Sequence, residues 1–268
     1  MRDTNNQDTD NQPLPKPTTS QDYILTLIFK FRFITTYTLA KYRNQSDHTV
    51  AYRSLEKLRD HGYLLKRYNN YDKIDRKSAI YSLSKVGIKY LRDAHKFNES
   101  ALHAMYKNHQ VTTEYTESYI ELLELFNQLK RSYPLTFDIF SSVELIDQDY
   151  FPEPRPDLYL RRRDLKLNVS NEYFLYAVND VQLFVIKKRL RSWLTHFDEE
   201  GWDGDYPTIL LVCGTQSIET RTRAYLVGLE LEDELRILTT TKKALLENDN
   251  NEVWMDYRTD QMLMSIYQ

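Results

Sequence analysis

The sequence predicts a mixed α+β and α/β chain in two parts: a small helical unit closed by a two-stranded hairpin, then a larger unit ordered helix, three strands, helix, strand. Three observations predict this. A length of 268 residues suits about two domains, each able to bury its own core. Charge divides unevenly: residues 23–97 carry about 16 Lys and Arg against about 6 Asp and Glu, while residues 98–268 carry about 18 against about 29. The net charge of -3 therefore hides a basic first part and an acidic second one, the pattern of a polyanion-binding module tethered to a part that avoids the polyanion. Finally, the apolar period is helical through the first part and shifts towards strand patterns after Pro134.

Residues 1–21 are rich in Asn, Gln, Asp, Thr and Pro and nearly free of apolar side chains, which describes a disordered arm and excludes a secretory apolar stretch. Ile24, Leu27, Ile28 and Phe31 then recur at helical spacing and set a first amphipathic helix from Asp22 to Phe31. Thr35 or Thr36 can cap a short second helix carrying Leu39 and Tyr42, and Asn44, Gln45 and Ser46 interrupt it with turn-forming residues. Ser46 starts a third helix with Ala51, Leu55 and Leu58 on its buried face, and Gly62 ends it. A 100° advance per residue from that face points Thr49, Arg53, Glu56 and Asp60 outward, flanked by Tyr52 and Lys57.

Tyr63 to Tyr68 and Ala79 to Leu83 are two strands around a charged turn, and Ser84 caps a closing helix with Val86, Tyr90 and Leu91 inward. The run Tyr81-Ser82-Leu83-Ser84-Lys85-Val86-Gly87 resembles the stretch that closes the wing in many bacterial winged helix-turn-helix regulators. With Leu55, Leu58, Gly62, Tyr63 and Leu64 ahead of it, the resemblance covers residues 22–97 and implies binding to double-stranded DNA. A helix N-terminus in the major groove presents hydroxyl, guanidinium and aromatic groups to base edges, while wing cations neutralise phosphates. Ser46, Thr49, Tyr52 and Arg53 are the groove candidates. Lys57, Lys66, Arg67, Lys73, Arg76 and Lys77 are the phosphate candidates, and His48 is a bystander or a backbone contact. A protein-docking winged helix would ask for a neutral or acidic third helix, which the positive surplus disfavours.

Residues 98–133 are a linker or packing segment, in which Tyr106 to Arg131 is expected as one long helix. Its stripe of Tyr119, Leu122, Leu123, Phe126 and Leu129 serves as a homodimer seam or as packing for the second part. Within residues 134–268, strands are expected at 135–143, 157–160 and 172–178, with a polar turn from Arg161 to Asn168. A helix from Asp180 to Phe197, a buried strand from Pro207 to Cys213, a helix from Ser217 to Leu231 and a strand from Leu235 to Thr239 follow. Arg161, Arg162 and Arg163 fit a charged turn or a nucleic-acid contact equally well. Lys187, Lys188, Arg189 and Arg191 lie opposite Phe184, Leu190 and Trp193 and read as a solvated face.

That element order resembles the restriction-endonuclease-like fold. Together with His109, Arg155-Pro156-Asp157, Phe174-Leu175-Tyr176-Ala177-Val178 and Lys187-Lys188-Arg189-Leu190 before Trp193, it resembles the bacterial replication-relaxation family. The resemblance implies a sequence-specific DNA-binding regulator of plasmid or mobile-element replication, maintenance or transcription. Nuclease chemistry of that superfamily needs carboxylates to hold a divalent ion and a Lys to orient water or stabilise charge. Asp157 would be the first acid, but Tyr176-Ala177-Val178 stands where an acid-x-Lys pair is needed. The second part is therefore expected to be inactive. The alternative is a metal-dependent endonuclease or nickase using Asp157 and Glu172, with Mg²⁺ as its cofactor and Asp180 as a substitute ligand.

Other chemistry is unsupported. One cysteine, Cys213, excludes an internal disulfide, and no Cys/His cluster has zinc spacing; a cytoplasmic location fits. No apolar run reaches the roughly 18 residues needed to span a bilayer. No P-loop or dinucleotide Gly fingerprint occurs, and six Gly in the chain leave little for a phosphate-cradling loop, so no nucleotide cofactor is expected.

Overall fold

The computed structural model describes residues 15–68, 74, 77–134, 136–164, 169–178, 183–199, 206–229, 231, 235–247, 252–259, 262–263 and 266. Most of the arm expected over residues 1–21 lies outside them, as does the turn at 69–73. The first part runs α1 (Thr19–Phe31), β1 (Ile34–Thr35), α2 (Thr36–Tyr42), α3 (His48–Asp60), β2 (Leu64–Arg67), β3 (Ile80–Leu83) and α4 (Lys85–His95). Its strands form a small antiparallel sheet in the order β1-β3-β2.

Local chemistry accounts for most of these boundaries. α1 starts three residues before the expected Asp22 because Thr18 and Gln21 form a reciprocal capping box. Between α2 and α3, Asn44 takes the left-handed conformation (φ 53) that an Asn tolerates in a tight turn. The N-cap of α3 is Asp47, whose carboxylate accepts the Thr49 N–H at 2.8 Å, so Ser46 lies outside the helix it was expected to start. Gly62 follows α3 at φ 78, where a side chain would be strained. The motif residue Gly87 is needed for a different reason: a Cβ there would meet the Tyr63 carbonyl oxygen at 2.4 Å. Ser84 completes that junction, donating its hydroxyl to the Gly62 carbonyl at 2.6 Å while accepting the Val86 and Gly87 N–H groups. Val86, expected inward, is exposed instead; Ile88 and Leu91 fill the buried face of α4.

α5 (Glu99–Met105) and a 3₁₀ turn (Asn108–Gln110) lead into α6 (Thr113–Ser132). The single helix expected from Tyr106 is thus broken. Arg32, itself at φ 61, reaches into the break and donates to Asn108 Oδ1 at 2.7 Å and the Ala104 carbonyl at 2.7 Å, while Thr112 caps α6. Leu122, Leu123, Leu125, Phe126 and Leu129 of α6 are buried within the chain, so the stripe is spent on internal packing and does not offer a dimer seam.

The second part contains β4 (Asp138–Ser141), β5 (Leu158–Asp164), β6 (Val169–Val178), α7 (Leu183–Glu199), β7 (Thr208–Cys213), α8 (Gln216–Val227), β8 (Ile237–Thr241), α9 (Lys242–Glu247), β9 (Trp254–Asp256) and β10 (Met262–Leu263). Among the described residues its strands order as β10-β9-β8-β7-β6-β5-β4. β6, β7 and β8 are parallel; the remaining neighbours are antiparallel. Alternation assigns each face its own core. Leu158, Leu160, Tyr173, Leu175, Leu210, Val212 and Leu238 join the core that also holds α1, α3 and α6. Tyr159, Phe174, Tyr176, Ile209, Leu211, Cys213 and Ile237 join a second core with Ile186, Leu190 and Trp193 of α7 and Leu226 of α8.

Three expectations change here. β4 is shorter than residues 135–143 because Glu144 turns the chain, its carboxylate accepting the Ser141 N–H at 2.9 Å. Residues 161–164 of the expected turn from Arg161 to Asn168 are ladder, with Arg161 opposite Glu172 and Arg162 opposite Asn171, and residues 165–168 lie outside the described residues; the Arg161–Glu172 pair sets unlike charges across the strands. The short elements after Thr241 were not anticipated; Thr241 caps α9 by accepting the Ala244 N–H at 3.1 Å.

Candidate nucleic-acid interface

The outer face of α3 begins directly after the Asp47 cap. Ala51, Leu55 and Leu58 anchor the helix to the core at 0% exposure, which leaves His48, Thr49, Val50, Tyr52, Arg53 and Lys57 exposed along the other side. Ser46 is exposed just before the cap. Among the described residues, neither Arg53 nor Lys57 forms an ion pair with a carboxylate. The N–H groups of the first turn add partial positive charge at that end.

Glu56 departs from the expected outward position. It is drawn against the sheet, where its carboxylate accepts the Lys66 ammonium at 2.9 Å and the Tyr81 hydroxyl at 2.5 Å and also pairs with Arg59. Burial opposes its charge, but the Tyr81 and Lys66 hydrogen bonds and the fields of Lys66 and Arg59 outweigh it and hold the carboxyl below its ordinary range. The negative group nearest the middle of α3 is thereby neutralised. The same network occupies Lys66, whose ammonium also lies 5.7 Å from the Tyr52 ring centroid.

Arg67 is likewise turned inward and donates to the Val111 carbonyl at 3.3 Å and to the Thr113 and Thr116 hydroxyls. Lys77 is exposed and loosely paired with Glu117 at 3.7 Å. Lys73 and Arg76 lie outside the described residues. Of the ten candidates, then, Ser46, Thr49, Tyr52, Arg53 and Lys57 share one exposed surface, whereas Lys66 and Arg67 serve the interior.

Sequence reasoning missed a neighbour of that surface. Tyr37, in the first turn of α2, stacks on His48 with ring centroids 5.5 Å apart, and the Lys41 ammonium sits 4.4 Å above the Tyr37 ring. An aromatic residue placed just after the cap of the helix preceding the turn was the signal available for it. The stack extends the exposed face from α3 onto α2 and gives His48 a defined partner.

In the second part, Asp157 and Glu172 are not brought together. Leu158 pairs with Leu175 and Arg161 with Glu172, so Asp157, one step beyond the register, comes level with Tyr176. Glu172 lies four residues back along β6, roughly 13 Å at strand rise. Its carboxylate is committed to the Tyr159 and Tyr150 hydroxyls, each at 2.6 Å.

Asp157 lines a cleft of about 340 Å³ with Tyr115, Ser118, Tyr119, Leu122, Ser142, Ala177 and Arg189. One carboxylate oxygen accepts the Ala177 N–H at 2.8 Å. Burial raises this carboxyl to about 6 despite the Ala177 N–H and the Arg189 charge, which both favour ionisation. Beside it, Tyr176 is buried, stacks on Trp193 at 3.7 Å, and has a hydroxyl with no hydrogen-bond partner among the described residues.

These residues do not fit a divalent ion. The one carboxylate in the cleft is bound to main chain, a tyrosine and a valine stand where an acid and a lysine would be needed, and among the described residues no three His, Cys, Asp or Glu side chains gather into a metal-binding group. Asp180 lies outside the described residues. Cys213 is buried, and that burial pushes its thiol up to about 12, which leaves it unreactive at neutral pH. Among the described residues no helix is long and apolar enough to cross a membrane.

No family model matches the chain, the replication-relaxation family included, and no curated protein matches it. Among solved structures, the restriction endonuclease FokI is similar at 9% identity and a TM-score of 0.33, over 88% of this chain and 45% of that one. FokI bound to DNA gives 10% identity and a TM-score of 0.26, over 86% and 44%. The chain thus spans less than half the length of these structures.

Proposed function

We propose that residues 22–97 form a winged helix-turn-helix that binds double-stranded DNA, with α3 in the major groove and the β2–β3 hairpin as the wing. The observation that carries this reading is the exposed face of α3, where Thr49, Tyr52, Arg53 and Lys57 stand together while Glu56 is neutralised from the sheet side. Such a face offers hydroxyl, aromatic and guanidinium groups to base edges. Residues 98–133 pack this unit against residues 134–268, a nuclease-like scaffold in which no three His, Cys, Asp or Glu side chains gather to hold a metal among the described residues. The protein then acts as a sequence-specific DNA-binding regulator, and its resemblance to the replication-relaxation family points to plasmid or mobile-element replication, maintenance or transcription.

The test is binding of the full chain to duplex DNA across a salt series, with and without Mg²⁺, and analysis of the DNA on a denaturing gel. Salt-dependent binding with intact DNA is expected. Arg53→Ala with Lys57→Ala should reduce affinity at least tenfold and lower the log-log salt slope by about 1 to 2. Absence of binding at low salt refutes the reading, and Mg²⁺-dependent nicking lost in Asp157→Ala would place the endonuclease alternative first.

A further inference from the structure

The exposed face of α3 carries two large hydrophobic side chains, Val50 and Tyr52, of which Val50 is the aliphatic one. Val50, in the first turn, is 48% exposed, although valine is a weaker helix former than the alanine, lysine or glutamate that suit a solvent-facing position. The hydroxyl of Ser54 donates to the Val50 carbonyl at 2.8 Å, so that polar group is turned back onto the helix beside a half-exposed valine side chain. Thr49, also exposed, adds a third methyl in the same turn. β-Branching holds valine to essentially one rotamer in a helix, so this small apolar surface is already fixed before any ligand arrives.

We propose that Val50 reads the 5-methyl group of a pyrimidine in the major groove. The inference rests on the DNA-binding reading above and deepens it by naming what part of the duplex is recognised. The chemistry is specific: on the major-groove edge, thymine presents a methyl group that cytosine and uracil lack, and an apolar side chain is the complement to it. Thymine and 5-methylcytosine both supply that methyl. Contact between Val50 and either one removes apolar surface from water on both partners, and Arg53, one turn further along, supplies polar contact beside it.

The experiment starts by selecting duplexes from a random pool with the full-length protein. The selected duplex is then prepared in three further forms: with deoxyuridine replacing thymidine at each site position in turn, with cytosine replacing thymidine at the discriminating position, and with 5-methylcytosine there. Loss of one methyl contact should weaken binding about fourfold at one position. At that position 5-methylcytosine should bind about fourfold more tightly than cytosine. Val50→Ala, a surface change that leaves the fold intact by circular dichroism, should bind the thymidine duplex about fourfold more weakly and no longer distinguish thymidine from deoxyuridine. Equal affinity for the thymidine and deoxyuridine duplexes overturns the proposal, as does discrimination that persists in Val50→Ala, or equal binding of cytosine and 5-methylcytosine. Each of these leaves DNA binding standing; failure to bind any duplex at low salt instead removes the reading on which the proposal rests.

Discussion

The outer face of α3 and the Asp157 cleft deal with charge in opposite ways. On α3, Arg53 and Lys57 remain exposed, while Glu56 is held by Lys66, Arg59 and Tyr81. In the second part it is the acids that are spent internally: Asp157 on the Ala177 N–H and Glu172 on two tyrosine hydroxyls. A residue type in the right place in the sequence is therefore not yet a functional group. What decides is whether its hydrogen-bonding capacity is left over after folding, and by that measure the first surface has capacity for a polyanion and the second has little for a cation.

The comparison breaks most readily through the element the two regions share. Leu123 of α6 is completely buried in the core that runs from α1 through the large sheet. Leu123→Ala should cost about 2–5 kcal/mol and shift both regions together, as followed by a fluorophore on each in urea melts. Two separate transitions, with only one displaced, would show that the regions fold independently.

A second variant sharpens the contrast at the cleft. The folded carboxyl of Asp157 at about 6 stands above an unfolded value of about 3.9, so the folded state binds the extra proton and stability falls as pH rises from about 4 to about 6. Asp157→Asn keeps an acceptor for Ala177 and removes the buried charge. It should stabilise the protein at pH 7 by on the order of 3 kcal/mol and have little effect at pH 3.5. Calorimetry at both pH values checks the sign, and a destabilised variant at pH 7 would mean that the charge is satisfied by its surroundings.

The smallest effect is expected at Glu56. Its carboxyl is held below the ordinary range, so it contributes stability above its unfolded value that disappears as pH falls through the folded one. Glu56→Gln should cost about 1–2 kcal/mol at neutral pH and free the Lys66 charge, while Arg59 keeps its pair with Asp60. Tighter, more salt-sensitive DNA binding in a less stable protein is the expected pair of outcomes; weaker binding would show that Glu56 positions the reading face and does more than clear it of charge.

Much of the element order was legible because it depends on local patterns. Ala51, Leu55 and Leu58 declared the buried side of α3, and the runs 172–178 and 207–213 declared strands, the second of them buried. The break before α6 was illegible because its cause is remote: Arg32 lies more than seventy residues from Asn108, the side chain it fixes. Lys66 and Arg67 look like Lys57 in sequence, yet hydrogen bonds to partners distant in sequence reassign them. Tyr37 and Val50 went unremarked for the reverse reason, since an exposed apolar or aromatic residue gives no periodic signal.

Because α6 contributes side chains to the core beneath both α1 and the large sheet, the DNA-binding module proposed above shares its packing with the rest of the chain and is not bounded by a surface of its own. On the proposed reading, a recombination event that brought a new reading head to this scaffold would have to bring a matching α6 with it, and a change in target preference would come most easily by point substitution at Val50, Arg53 and Lys57, which are exposed and belong to neither core.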